Sequence, residues 1–248
     1  MNIPESTTGD HGRRTDHPRA NAAGKALPWL APDEPAFAGQ ATARDQTREL
    51  LGQVMGYVAV TVGFAALGAY LGRDLSGGTG IVLFIGAFAA IIGLNVAATA
   101  GREQLAMTLL FGLGLLLGLA VAPVIADYAH ADPSVLWQAA GATAAFVAAL
   151  GAYGYATRRD LSSWARTLFW ALLGLIVFGI VAIFVSIPGA HVIYAVLGLV
   201  IFGGYTVVDF NRVRRGTDDS AVLIAASIFL DIFNVFLLLL DLSGGTRD

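Results

Sequence analysis

Cysteine is missing altogether from the 248 residues, which excludes disulfides and thiol chemistry and leaves the compartment open. Charge is scarce: Asp, Glu, Lys and Arg make up 13% of the chain, against about 25% in an ordinary soluble domain. The net charge of −3 is too small to argue for a nucleic-acid partner. Lys25 is the single lysine and lies in a polar N-terminal stretch, so no internal lysine is available to form a Schiff base. His11 and His17 fall in the same stretch, while His130 and His191 fall at the edges of apolar runs. A buried Ser–His dyad therefore has no support. Met1–Gln53 shows no early apolar core, so no secretory signal peptide is expected.

Apolar residues fill the space that charge leaves. They make up 56% of the chain, and glycine adds 30 residues, a residue frequent in membrane helices because it lets backbones approach. The composition is that of an all-α integral membrane protein, since a transmembrane barrel would show short alternating strands instead. Met1–Arg48 holds five of the eight prolines, mixed charges and few apolar residues. It cannot bury enough surface to offset ordering, and a disordered tail is expected there. Thr42–Leu51 (TARDQTRELL) reads as a short amphipathic lead-in.

Seven apolar runs follow within 49–243: Gly52–Leu71, Gly80–Ala98, Leu105–Ala126, Val135–Ala156, Thr167–Ile187, His191–Val208 and Ala221–Leu242. Short connections force sequential neighbours to pack antiparallel, which predicts a single monomeric bundle of seven transmembrane helices. The pairs Gly52/Gly56, Gly68/Gly72 and Gly114/Gly118 suggest close helix packing. Nine arginines (44, 48, 102, 158, 159, 166, 212, 214 and 215) fall on the N-terminal side of the bundle, against Arg73 and Arg247 on the other. That bias places the N-terminus in the cytoplasm and, after seven crossings, the C-terminus outside a cell membrane.

The last run, AVLIAASIFLDIFNVFLLLLDL, is 22 residues long, enough to cross about 30 Å of hydrocarbon. Asp231 sits near its middle, with Asn234 one turn later. An ionised carboxylate at that depth costs roughly 2.5–3.5 kcal/mol even on the lenient insertion scale. Either the carboxyl is kept protonated and hydrogen-bonded inside the bundle, or it marks a proton or cation path. Asp209 closes the sixth run and is the candidate partner; Asp241, at the far surface, reads as interfacial. A turn centred on Ser220 would bring Asp209 and Asp231 level, and one centred nearer Thr217 would leave Asp231 deeper. Two carboxyls close together in low dielectric cannot both ionise cheaply, so such a pair shares a proton and acts as a switch. Oxygen ligands of this kind suit transient Ca²⁺. Asn211 and Asn234 repeat the spacing and are either partners of the carboxyls or ordinary interhelical hydrogen-bonding groups. Asp127 and Asp132 flank a connection without Arg or Lys. They are either solvated loop acids or an external mouth that concentrates cations.

The segments Gly204–Arg215 (GYTVVDFNRVRR) and Ser227–Leu240 (SIFLDIFNVFLLLL), with Arg158–Ser162 (RRDLS) and Ala122–Ile125 (APVI) upstream, resemble the Bax inhibitor-1 family, in particular its bacterial members. The resemblance covers roughly Gly52 to Leu242. It implies seven helices with the last one central, and a pH-sensitive Ca²⁺ leak in which Asp209 and Asp231 latch or release a pore. It also implies a basic residue near the end of the second helix that engages them. Arg102 is the candidate, though as a loop arginine on the basic side it needs no such role. Family members also act as non-transporting regulators of membrane proteins, membrane-protein quality control or stress-induced death, through protein partners. No cofactor is implied, Ca²⁺ entering only as the transported ion. An intramembrane aspartyl protease is disfavoured, because Val208 rather than Tyr precedes Asp209 and no glycine precedes Asp231, so an enzyme is not expected.

Overall fold

Glycine and alanine set the spacing of the bundle. The computed structural model describes residues 34–75, 77–186, 188–216 and 219–244, with side chains from residue 45 onward. The chain divides into an N-terminal unit, Met1–Ala43, and a second unit, Arg44–Asp248, whose described residues hold seven helices long and apolar enough to cross a membrane. The helices are α1 (Glu34–Leu71), α2 (Gly77–Thr99), α3 (Glu103–Ala131), α4 (Pro133–Ala156), α5 (Ser162–Phe184), α6 (Ala190–Arg215) and α7 (Ala221–Gly244). All seven expected runs are helices.

Several boundaries shift, α3 running on to Ala131 and α5 starting at Ser162 among them, and two shifts bear on the tail and the site. The tail expected to be disordered through Arg48 is helical from Glu34, and residues 1–33 lie outside the described residues. Pro35 falls in the first turn, where a missing N–H costs nothing, and the residues after it are good helix formers. At the other boundary, α6 does not stop at Val208 but runs on to Arg215. Asp209, Asn211 and Val213 face inward on this last stretch, and three arginines sit in the final turn, where positive charge complements the helix dipole. Gly216 then ends the helix in the left-handed region at φ 58°, a conformation that suits glycine.

Packing is tightest where glycines face backbone. A Cβ on Gly114 would lie 2.5 Å from the Thr61 carbonyl oxygen, and one on Gly118 would collide with the Ala65 carbonyl, so α1 and α3 touch along their backbones. Gly68 and Gly72 complete that seam against Leu115, Leu119 and Ala122. Gly52 and Gly56 face open space, so that pair packs nothing. Gly154 brings α4 against the backbone of α6 at Val207 in the same way.

Helix α7 is the centre of the bundle. It is packed by α2, α3, α4 and α6, and its Ile224 and Ile228 share an apolar core with Val54 and Val58 of α1. At its far end Leu240 packs with Val135 and Ala139 of α4, and Gly244 meets Tyr128 of α3. The helix therefore runs the full length of the bundle, as a span rather than a hairpin. Helix α5 is the opposite case. It packs on α6 through one stripe, Leu161, Ala165, Leu168 and Leu175, and turns Trp164, Phe169, Trp170, Ile176, Ile180 and Phe184 outward. Such an apolar outer face is at home in lipid and costly in water.

Candidate functional site

The connection between α6 and α7 decides which residues stand opposite one another. Asp209 lies six residues before the end of α6, and Asp231 lies ten residues after the start of α7. Asp231 is therefore about four residues, or ~6 Å at helical rise, deeper in the bundle. The residue level with Asp209 is Ser227, also six positions into its helix. Its hydroxyl donates a short hydrogen bond to Asp209 Oδ2. The other oxygen, Oδ1, accepts from Arg212 Nη1 at 3.2 Å, and Arg212 Nη2 reaches Asp219 Oδ2 at 2.7 Å. One guanidinium thus bridges a carboxylate that is 2% exposed and a second that is 37% exposed.

Asp231 has a barer setting. It is 4% exposed, and its Oδ2 is buried with no hydrogen-bond partner. Thr206, fully buried on α6, lies beside it, but the threonine hydroxyl donates to the Phe202 carbonyl at 2.9 Å. Asp209 and Tyr205 are both within electrostatic reach of Asp231. A buried carboxyl oxygen without a donor is expensive to leave charged.

A cavity of about 410 Å³ opens in front of Asp209, lined also by Arg212, Asp219, Ser227, Tyr205 and Asp160. Asp160 lies on the α4–α5 connection, outside the helices, and pairs with Arg215. The Arg215 guanidinium, with the Ser162 backbone N–H, holds this exposed carboxyl well below the usual carboxylate range.

The other residues singled out from the sequence lie elsewhere or have other tasks. Asn211 is buried, but it donates to the carbonyls of Gly154 and Thr157 at 3.3 and 2.9 Å, tying α6 to the end of α4. Asn234 donates to Leu230 of its own helix at 2.7 Å. Neither is seen to bond a carboxyl of the pair. Arg102 is exposed at the start of α3; the guanidinium at the carboxyls belongs to Arg212 of α6. Asp132 caps α4, accepting from the Ser134 backbone N–H at 2.9 Å, while Asp127 and Asp241 are exposed. Among the described residues no three His, Cys, Asp or Glu side chains cluster as a metal site. Ser227, Thr206, Arg212 and Asp219 were not anticipated. Ser227 had a signal, since it precedes Asp231 by one helical turn and shares its face. Arg212 had one too, three positions after Asp209.

A seven-helix membrane protein with two carboxyls buried between its last two helices is the class these features define. The chain belongs to the family described as Inhibitor of apoptosis-promoting Bax1, which it matches over residues 47–248. It is 29% identical over 164 residues to an uncharacterized protein of Helicobacter pylori, covering 66% of this chain and 70% of the relative. Inner membrane protein YbhL of Escherichia coli is 28% identical over 184 residues, covering 68% and 77%. A Golgi anti-apoptotic protein of vaccinia virus is 33% identical over 164 residues, covering 65% and 68%.

Proposed function

We propose that this membrane protein is a pH-sensitive leak pathway for Ca²⁺, opened and closed through Asp209 and Asp231. The observation that carries the proposal is the unpartnered, buried Oδ2 of Asp231, set one turn beneath a second buried carboxylate that a cavity lined in part by Arg212, Asp219 and Ser227 reaches. In the closed arrangement Arg212 and Ser227 satisfy Asp209, and a proton on Asp231 removes the charge its surroundings cannot solvate. Loss of that proton puts two negative charges near each other in low dielectric. The pair then repels, parting α6 from α7, or takes up a divalent cation. The cluster lies at the arginine-rich end of the bundle, which the charge bias assigns to the cytoplasm. A reporter fused at the N-terminus is expected inside a bacterial inner membrane, and one after α7 outside it.

The test is Ca²⁺ flux into liposomes holding the purified chain, read between pH 5 and 8. Asp231→Asn keeps the shape and removes the titrating group, so flux is expected to lose its pH dependence while the fold survives. Asp209→Ala is expected to change the basal leak as well, and the double variant to fall short of the sum of the two. Wild-type flux and wild-type pH response in both single variants would leave the carboxyls structural. The second reading is then a non-transporting regulator of membrane-protein quality control or cell death acting through a membrane-protein partner; the name of the vaccinia relative favours it. Neither reading makes the chain an enzyme.

A further inference from the structure

The connection between α4 and α5, residues 157–161, is held unusually firmly for a surface loop. Asn211 donates to the carbonyls of Gly154 and Thr157 and accepts from the Leu161 backbone N–H at 3.4 Å. Arg214 donates to the Thr157 carbonyl at 2.5 Å. Arg215 pairs with Asp160, the one acid of the loop, whose Oδ1 also accepts from the Ser162 backbone N–H at 2.9 Å. Three arginines remain outside this network. Arg158, Arg159 and Arg166 are exposed, and among the described residues none makes an ion pair or any other polar contact. Trp164, between them in sequence, is 51% exposed.

We propose that this loop and the first turn of α5 form a docking surface for the anionic headgroup of a phospholipid. Charge complementarity argues for an anion: three cations are uncompensated, and the acid that would neutralise one of them is already paired with Arg215. Guanidinium forks match phosphate oxygens in geometry as well as charge. The place argues for a lipid rather than a free ion. The loop joins the ends of two membrane-length helices, Trp164 is the kind of side chain that sits at headgroup depth, and the outward face of α5 below it is apolar. The fixed backbone means that little ordering accompanies binding. A headgroup held here also secures α5, which packs on α6 and turns most of its surface outward. None of this depends on whether the chain conducts ions.

The experiment is thermal unfolding of the full chain in detergent, with phosphatidylglycerol or phosphatidylcholine added at equal concentration. Phosphatidylglycerol is expected to raise Tm by about 3 °C over phosphatidylcholine. The shift is expected to vanish in R158Q/R159Q/R166Q and to persist in R48Q/R102Q, which neutralises two other exposed arginines. Inorganic phosphate is expected to leave Tm unchanged. A full shift in the triple variant, or an equal loss in R48Q/R102Q, would overturn the proposal, as would a shift reproduced by inorganic phosphate. Should the triple variant not fold, native mass spectrometry of R159Q/R166Q asks the same question. The wild type is expected to retain phosphatidylglycerol at collision energies that strip phosphatidylcholine, and the variant to lose it; equal retention overturns the idea.

Discussion

Ser227 of α7 stands level with Asp209 of α6, and it is this hydroxyl, rather than the carboxyl of Asp231, that holds Asp209 from the neighbouring helix. Ser227→Ala leaves Asp209 Oδ2 buried without that donor, a defect of about 1–3 kcal/mol. For a chain of this size that is a fall in Tm of roughly 2–4 °C for each kcal/mol. Thermal unfolding in detergent checks it. An unchanged Tm would mean that the serine bond contributes nothing net, and that Arg212 alone satisfies the carboxylate.

Arg212 already occupies the position a cation in front of Asp209 would take, and Asp219 tethers it from outside. Under the proposed leak, Arg212→Gln is expected to raise basal Ca²⁺ flux severalfold, since it takes a partly exposed guanidinium away from a buried carboxylate and a charged hydrogen bond is worth about 1.5–3 kcal/mol before solvent screening. Asp219→Asn removes one anchor and is expected to raise flux less. The double variant should then resemble Arg212→Gln, because Asp219 acts through the arginine. Strict additivity of the two effects in the liposome assay would separate Asp219 from this role.

The Asp160–Arg215 pair supplies a pH control. Its carboxyl is held below the ordinary value of 3.8. A depressed carboxyl contributes stability above its unfolded value and loses that contribution as pH falls toward the folded one. The Tm difference between wild type and Asp160→Asn is therefore expected to be constant from pH 5 to 8 and to shrink only in stronger acid. A difference that changed across the neutral range would assign part of the titration to this surface pair.

Glycine positions on α1 and α3 make opposite demands. Gly114→Ala places a methyl 2.5 Å from the Thr61 carbonyl and 2.8 Å from its Cγ2, which forces the helices apart at about 1–3 kcal/mol. Gly52→Ala meets nothing within 4 Å and gains helix propensity, so it is expected to be neutral or stabilising by up to ~1 kcal/mol. Equal Tm values for the two variants would contradict the close approach.

Hydropathy made all seven spans legible, because a run of about 20 apolar residues has few other uses. It failed at Asp209–Arg215, where the helix continues through polar residues that face inward and a window average sees only charge. The depth of Asp231 was legible from its place in the last run. Its relation to Asp209 was not, because that depends on where the α6–α7 turn falls, and a shift of two residues moves the carboxyls by a full turn. The extension of α6 decides between the two turn positions considered, leaving Asp231 deeper and setting Ser227 level with Asp209. For Asn211 and Asn234 the sequence left two roles open, partners of the carboxyls or ordinary hydrogen-bonding groups; Asn211 ties α6 to α4, the second of these, and Asn234 bonds its own helix. Asp132 was open to two readings, a solvated loop acid or part of an external mouth, and its carboxylate caps α4.

Under the proposed leak, the offset of about four residues between Asp209 and Asp231 also sets the kind of traffic such a site would carry. Carboxyls facing each other form a cage, which grips an ion from both sides and releases it slowly. Carboxyls one turn apart form rungs, and an ion on one of them is held by half the charge of the pair. If the pathway conducts as proposed, such a ladder would pass its cargo in two short steps rather than hold it.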